Sequence, residues 1–165
     1  MAARSRRSRE PGDVAWKAVE PYWRKVSIYG TPERLERDLR KVPPPVLVLL
    51  PVFWCNSEIC NGGFSQLFLN STGILVPEAI AGYRTLKRRK LANVVAKAAS
   101  LLGKNYARDR SLRHKRLKKL GAAGLKTCFW PCFEKFDKRY FKLLEEEGLE
   151  ETIDAYLQGL SASRT

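Results

Sequence analysis

Apolar residues recur at intervals of three and four along most of this chain, the period of helices that bury one face. Trp16, Val19, Tyr22, Trp23 and Val26 form the first such stripe and predict a helix that opens at Asp13 and is kinked by Pro21. Thr31-Pro32-Glu33-Arg34 then supplies a capping hydroxyl, a proline at the first helical position and an acid in the first turn. A second helix starts there, with Leu35 and Leu39 facing inward. Pro43, Pro44 and Pro45 break it, and the last of them can open the next element. The run 46–60 is apolar nearly all round, so it predicts a central helix buried by the others, with Pro51 as a kink. Its β-branched start would suit a strand, but no second strand-like run exists to pair with it. Ile80, Tyr83 and Leu86 mark a helix over 76–87, and Leu91, Val94, Val95 and Ala98 mark another over 91–103 that Gly103 stops. From Thr127 the stripe is aromatic: Phe129, Trp130, Phe133, Phe136, Tyr140 and Phe141, with Asp137, Lys138 and Arg139 on the outside. Leu149, Ile153, Tyr156 and Leu157 give a last helix ending near Gly159. The expected fold class is all-α, a single multi-helix domain around the buried helix at 46–60.

One polar interruption stands out from this pattern. Residues 56–73 gather Glu58, Asn61, Gln66 and Asn70 around Gly62-Gly63, while Phe64, Leu67 and Phe68 resume the helical spacing and Gly73 closes the stretch. A glycine pair permits positive φ and close backbone approach, which predicts a helix end, a sharp corner and a second short helix. Glu58 lies in an apolar setting where a lone carboxylate is costly, so it must be paired or hydrogen-bonded, to backbone amides, Asn61, Gln66 or a nearby base. The stretch reads as a structural network. The sharper reading is a catalytic carboxylate with amide helpers, but acid/base chemistry wants a second titratable group, and none lies nearby in sequence.

Charge adds a second feature. The net charge is +14, divided as +3 over residues 1–83, +14 over 84–126 and −3 over 127–165. The middle block contains Arg84, Lys87, Arg88, Arg89 and Lys90, then Arg108, Arg110, Arg113, Lys115, Arg116, Lys118 and Lys119. Leu112, Leu117 and Leu120 are the only aliphatic residues in 104–120, so that segment is expected to be an exposed, partly flexible basic excursion. Such a block is a candidate surface for an acidic partner. His114, inside it, reads as solvent-facing. Glu145, Glu146, Glu147, Glu150 and Glu151 form an acidic cluster able to dock on the basic block and neutralise part of it.

Length and cysteines narrow the class further. A chain of 165 residues can bury a core without disulfides or metals. No uninterrupted apolar run reaches the roughly 18 residues of a membrane span, and no apolar signal region follows the basic start, so a cytoplasmic protein is expected. Residues 1–12, with Arg4, Arg6, Arg7 and Arg9, read as a disordered basic tail; 13–159 form the domain and 160–165 a disordered tail. Cys55, Cys60, Cys128 and Cys132 sit among apolar residues and read as free buried thiols, since zinc ribbons prefer tighter knuckles. No cofactor is expected.

Trp16, Pro21-Tyr22-Trp23, Ile28-Tyr29, Ser57-Glu58, Asn61-Gly62-Gly63-Phe64, Gln66, Phe68 and Asn70-Ser71-Thr72-Gly73 together resemble the bacterial DNA-mimic-protein-like family, a domain of unknown function. The likeness continues through Pro77-Glu78-Ala79, 92–99 and 133–156. It implies a small, single-domain, all-helical protein and allows a homodimer. The family's namesake is an acidic dimer that imitates duplex DNA; a chain of net charge +14 cannot present such a field. The expectation is a non-enzymatic protein-interaction or regulatory module. The alternatives are sequence-nonspecific nucleic-acid binding through 84–119, which shows no recognition motif, and an enzyme using Glu58, Asn61 and Gln66.

Overall fold

The computed structural model describes residues 13–121 and 131–162, and every regular element within them is helical. In order these are α1 (Asp13–Trp23), α2 (Pro32–Leu39), α3 (Pro44–Leu69), a 3-10 turn (Ser71–Leu75), α4 (Val76–Thr85), α5 (Arg89–Ser100), α6 (Arg110–Leu120), a 3-10 turn (Pro131–Phe133), α7 (Glu134–Glu147) and α8 (Leu149–Ala162). Helix α3 is the element the others are built on: α1, α4, α6, α7 and both 3-10 turns pack against it. It starts at Pro44, with Pro43 held extended at φ −61°, ψ 151°. A proline costs nothing at this point, because the first amides of a helix have no internal acceptor. Pro51 lies inside α3, but the backbone leaves helical geometry only at Gly62 (φ −161°, ψ 25°) and Gly63 (φ 69°, ψ −171°). The expected corner is therefore at the glycines, and the short arm after it carries the fully buried Phe64, Leu67 and Phe68.

Two devices lock neighbours onto α3. Trp23 of α1 stacks on Trp54 at 3.9 Å, and Trp16 meets Trp23 edge-on at 5.1 Å. On the other side Tyr140 of α7 donates its hydroxyl to Asn56 Oδ1 (2.9 Å) and lies 2.6 Å from the hydroxyl of Tyr83 in α4. Both phenols are fully buried, and that burial holds their pKa values well above the usual range. Each hydroxyl is satisfied inside the core, where leaving one unpaired would cost about 1–3 kcal/mol.

Several expectations are corrected. The segment expected to be a flexible excursion forms α6, which docks on α3. Among the described cysteines Cys60 is exposed, Cys132 is half-buried and only Cys55 is buried, its thiol held protonated by that burial. Helix α8 continues past Gly159 to Ala162. Cys128, Phe129, Trp130 and the basic segment 1–12 lie outside the described residues. By length and hydropathy α3 meets the criterion for a membrane span, with 44% of its most apolar window buried, but it does so as the core helix.

A methyl group on Gly63 would demand φ 69° of an L-residue and would lie 2.7 Å from Asp137 Oδ1. Gly63→Ala should lower unfolding stability by about 1–3 kcal/mol, measured by urea denaturation.

Candidate functional site

Glu58 is buried, 9% exposed, on the long arm of α3. Its Oε2 accepts from Gln66 Nε2 (2.8 Å) and Asn70 Nδ2 (2.9 Å), and its Oε1 accepts from Thr72 Oγ1 (2.7 Å). The corner makes this geometry: by folding the chain back at Gly62-Gly63 it brings residues 66, 70 and 72 beside a carboxylate on the preceding arm. All three donors are neutral. Asn61 does not join them; it is exposed and reaches only Ser57 Oγ at 3.5 Å.

The corner leaves backbone groups to be satisfied at both ends of the short arm. At its start the amide of Phe64 donates to Asp137 Oδ1 (2.8 Å). Asp137, expected on the outer face of α7, is thus a cap for a helix 73 positions earlier. Burial raises the pKa of its carboxyl, with the Phe64 amide pulling the other way.

At its end the arm meets α6. Arg113, expected on the basic surface, is 0% exposed. Its Nε donates to Phe68 O (2.7 Å), its Nη2 to Asn70 O (2.7 Å), and its Nη1 to Ala107 O (3.2 Å) and Arg108 O (2.8 Å). Leu69 O lies between them, accepting from Arg110 Nε (3.1 Å) and from His114 Nε2 (2.7 Å). His114 is therefore half-buried rather than solvent-facing, and since a carbonyl only accepts, Nε2 carries its proton. The last carbonyls of a helix carry partial negative charge, so a cationic cap is favourable there. Gly73 completes the seat: a Cβ there would lie 2.8 Å from Arg113 Nε, and its carbonyl accepts from Tyr106 (2.7 Å).

More of the basic block is spent internally. Arg108 pairs with Glu78 at 2.6 Å. Arg116 donates to Leu102 O (2.8 Å) and to Asn105 O, and Arg88 to Thr152 and Gly148 O. Lys90 meets Glu147 at 3.6 Å, the one pair joining the basic block to the acidic cluster among the described residues. What stays exposed is Arg84, Lys87 and Arg89 around the α4–α5 turn, Arg110, and Lys115, Lys118 and Lys119 on α6. Among the described residues no three His, Cys, Asp or Glu side chains are placed to hold a metal ion. Sequence reasoning missed Asp137, for which only its place opposite the corner speaks, and missed Lys97, Lys135 and Arg139, exposed cations that α5 and α7 bring to one groove.

A family model described as DMP19-like protein matches residues 40–160, which leaves α1 and α2 outside the matched span. No curated protein and no solved structure gives a match.

Arg113→Met strands four carbonyls at once and should cost about 3 kcal/mol or more of stability; Arg113→Lys should recover only part, lacking the planar fork. Urea denaturation of the two variants measures both. For Asp137 the folded pKa is raised, so the native state holds its proton more strongly than the unfolded chain, and its contribution to stability falls as pH rises through the carboxylate range. Asp137→Asn should therefore gain stability relative to the parent as pH goes from acid to neutral, which denaturation at several pH values will read.

Proposed function

The chain belongs to the DMP19-like protein family, and from that premise we propose that it is a non-catalytic, cytoplasmic protein-binding module whose partner presents an acidic surface. The observation that carries this reading is the set of exposed cations left once the internal arginines are set aside. Arg84, Lys87, Arg89, Lys115, Lys118 and Lys119 are exposed and make no ion pair among the described residues. They are the reverse of a DNA-like field, so the partner sought is acidic rather than a DNA-binding surface. The non-catalytic half of the reading is supported by Glu58, whose two oxygens are taken by three neutral donors, none of which titrates.

The test of the first half is affinity capture on the full chain after nuclease treatment. A protein partner should remain; its absence across salt conditions overturns the reading. Binding to nucleic acid is the second reading, favoured by the same cations. If about six phosphates were engaged, affinity should fall by about three orders of magnitude between about 50 and 200 mM salt. A mobility-shift titration that finds no complex even at low salt removes it.

Glu58→Gln places an amide where Gln66 and Asn70 already donate, and should cost about 1–3 kcal/mol in thermal or urea unfolding. A variant of unchanged stability that abolishes a cellular phenotype would instead return Glu58 to the role of a catalytic group.

A further inference from the structure

Helices α5 and α7 pack side by side, with Lys90 near Glu147 at one end of the pair and Leu101 near Lys135 at the other, so they run antiparallel. Between them lies an open groove of about 360 Å³. Its floor is apolar: the half-buried Phe136 of α7, with the edge of Val94 from α5 (8% exposed) beside it and the fully buried Leu143 of α7 beneath. Its rim is cationic on both sides, with Lys90 and Lys97 on α5 and Lys135 and Arg139 on α7. A second hollow, lined by Leu101, Pro131 and Cys132, shares Lys135 and continues the groove beyond the end of α5. Resting on the reading of the chain as a protein-binding module, we propose that this groove is the docking site for an acidic amphipathic helix of a partner protein.

Charge complementarity selects the occupant. Lys97, Lys135 and Arg139 are exposed and make no ion pair among the described residues, and the nearby carboxylates are already engaged at the margins. Glu147 meets Lys90 at one end, and Glu134 pairs with Lys138 at 2.7 Å. The rim therefore keeps a net positive charge around the half-buried Phe136. Lys90 and Lys97 are seven residues apart, about 10 Å along the axis, and Lys135 and Arg139 are four apart, about 6 Å. Acids on the flanks of a helix lying in the groove repeat at the same intervals, and its apolar face covers the floor. Nucleic acid fits less well. A phosphodiester backbone has nothing to set against the open edge of Phe136, and one face of that ring is closed to a stacked base by Lys135 Nζ at 5.1 Å from its centroid.

The test uses the full chain and a fluorescein-labelled synthetic helix of about 18 residues, with leucines at helical spacing and glutamates on both flanks, read by fluorescence anisotropy. A scrambled peptide of the same composition keeps the charge and removes the apolar face. The expected result is binding of the amphipathic peptide, with the scrambled one weaker by about tenfold or more. Lys97→Glu/Arg139→Glu should weaken binding by about tenfold, and Lys118→Glu/Lys119→Glu on α6 should leave it within about threefold. All four positions are exposed, and circular dichroism checks that the variants are folded. Equal binding of the scrambled peptide overturns the proposal, as does indifference to the α5–α7 variant or displacement of the peptide by duplex DNA in proportion to charge alone. A concentration-dependent dimer in sedimentation, abolished by Lys97→Glu/Arg139→Glu, also overturns it by assigning the groove to a second copy. If peptide binding fails while a nuclease-resistant partner persists, the groove falls and the binding-module reading stands.

Discussion

A helix that turns a corner against a protein core must find partners for the backbone groups freed on the core-facing side of the turn, where water does not reach them. This constraint governs the structure around α3. At the corner the amide of Phe64 is taken by Asp137 from α7, and at the far end the carbonyls of Phe68, Leu69 and Asn70 are taken by Arg113, Arg110 and His114 from α6. Two helices remote in sequence are thereby fixed to the two ends of one short arm. The packing of Phe64 against Phe68, Phe136 and Tyr140 fills the space between.

The carboxylate of Glu58 serves the same arm from the inside. Three side-chain donors spaced along residues 66–72 converge on it, so the angle between the arms of α3 is held by polar contacts of defined direction as well as by apolar packing, which has none. That gives several residues of the family-like stretch a physical task. Gly63 supplies the turn, Gln66, Asn70 and Thr72 hold Glu58, and Gly73 leaves room for Arg113. In this chain the stretch thus works as a joint between the two arms of α3.

Apart from Arg84 and Arg89, which stay exposed beside Lys87, the basic block divides by residue type as well as by place. Arg88, Arg108, Arg113 and Arg116 are turned inward onto carbonyls, a carboxylate or a hydroxyl, whereas the lysines of α6 point to solvent. The physical reason lies in the side chains. A guanidinium offers five donors in a fixed planar fork and is more weakly hydrated, so it can be buried against several carbonyls at once, while an ammonium keeps its water. The formal net charge of 84–119, +13, therefore overstates its cationic surface, whereas the cations at the groove between α5 and α7 are hidden in the sequence, since Lys135 and Arg139 belong to a segment of net negative charge.

Local periodicity determined most of the helices, the central position of 46–60, the corner at Gly62-Gly63 and the cap at Thr31, whose hydroxyl accepts from the Arg34 amide. Each of these depends on neighbours within a few positions, and a one-dimensional pattern carries that information. The need of Glu58 for partners was legible too, for desolvation cost follows from an apolar setting; Gln66 was among those partners, and Asn61 was not. Only the tertiary structure decided which polar residues are spent on distant backbone. Arg113, His114 and Asp137 look like surface residues because their own helices are polar around them, yet each is drawn inward by a helix end 45 or more positions away. An unsatisfied carbonyl or amide leaves no mark in the sequence of the helix that will cap it, so the capping residue becomes visible only when the two are brought together.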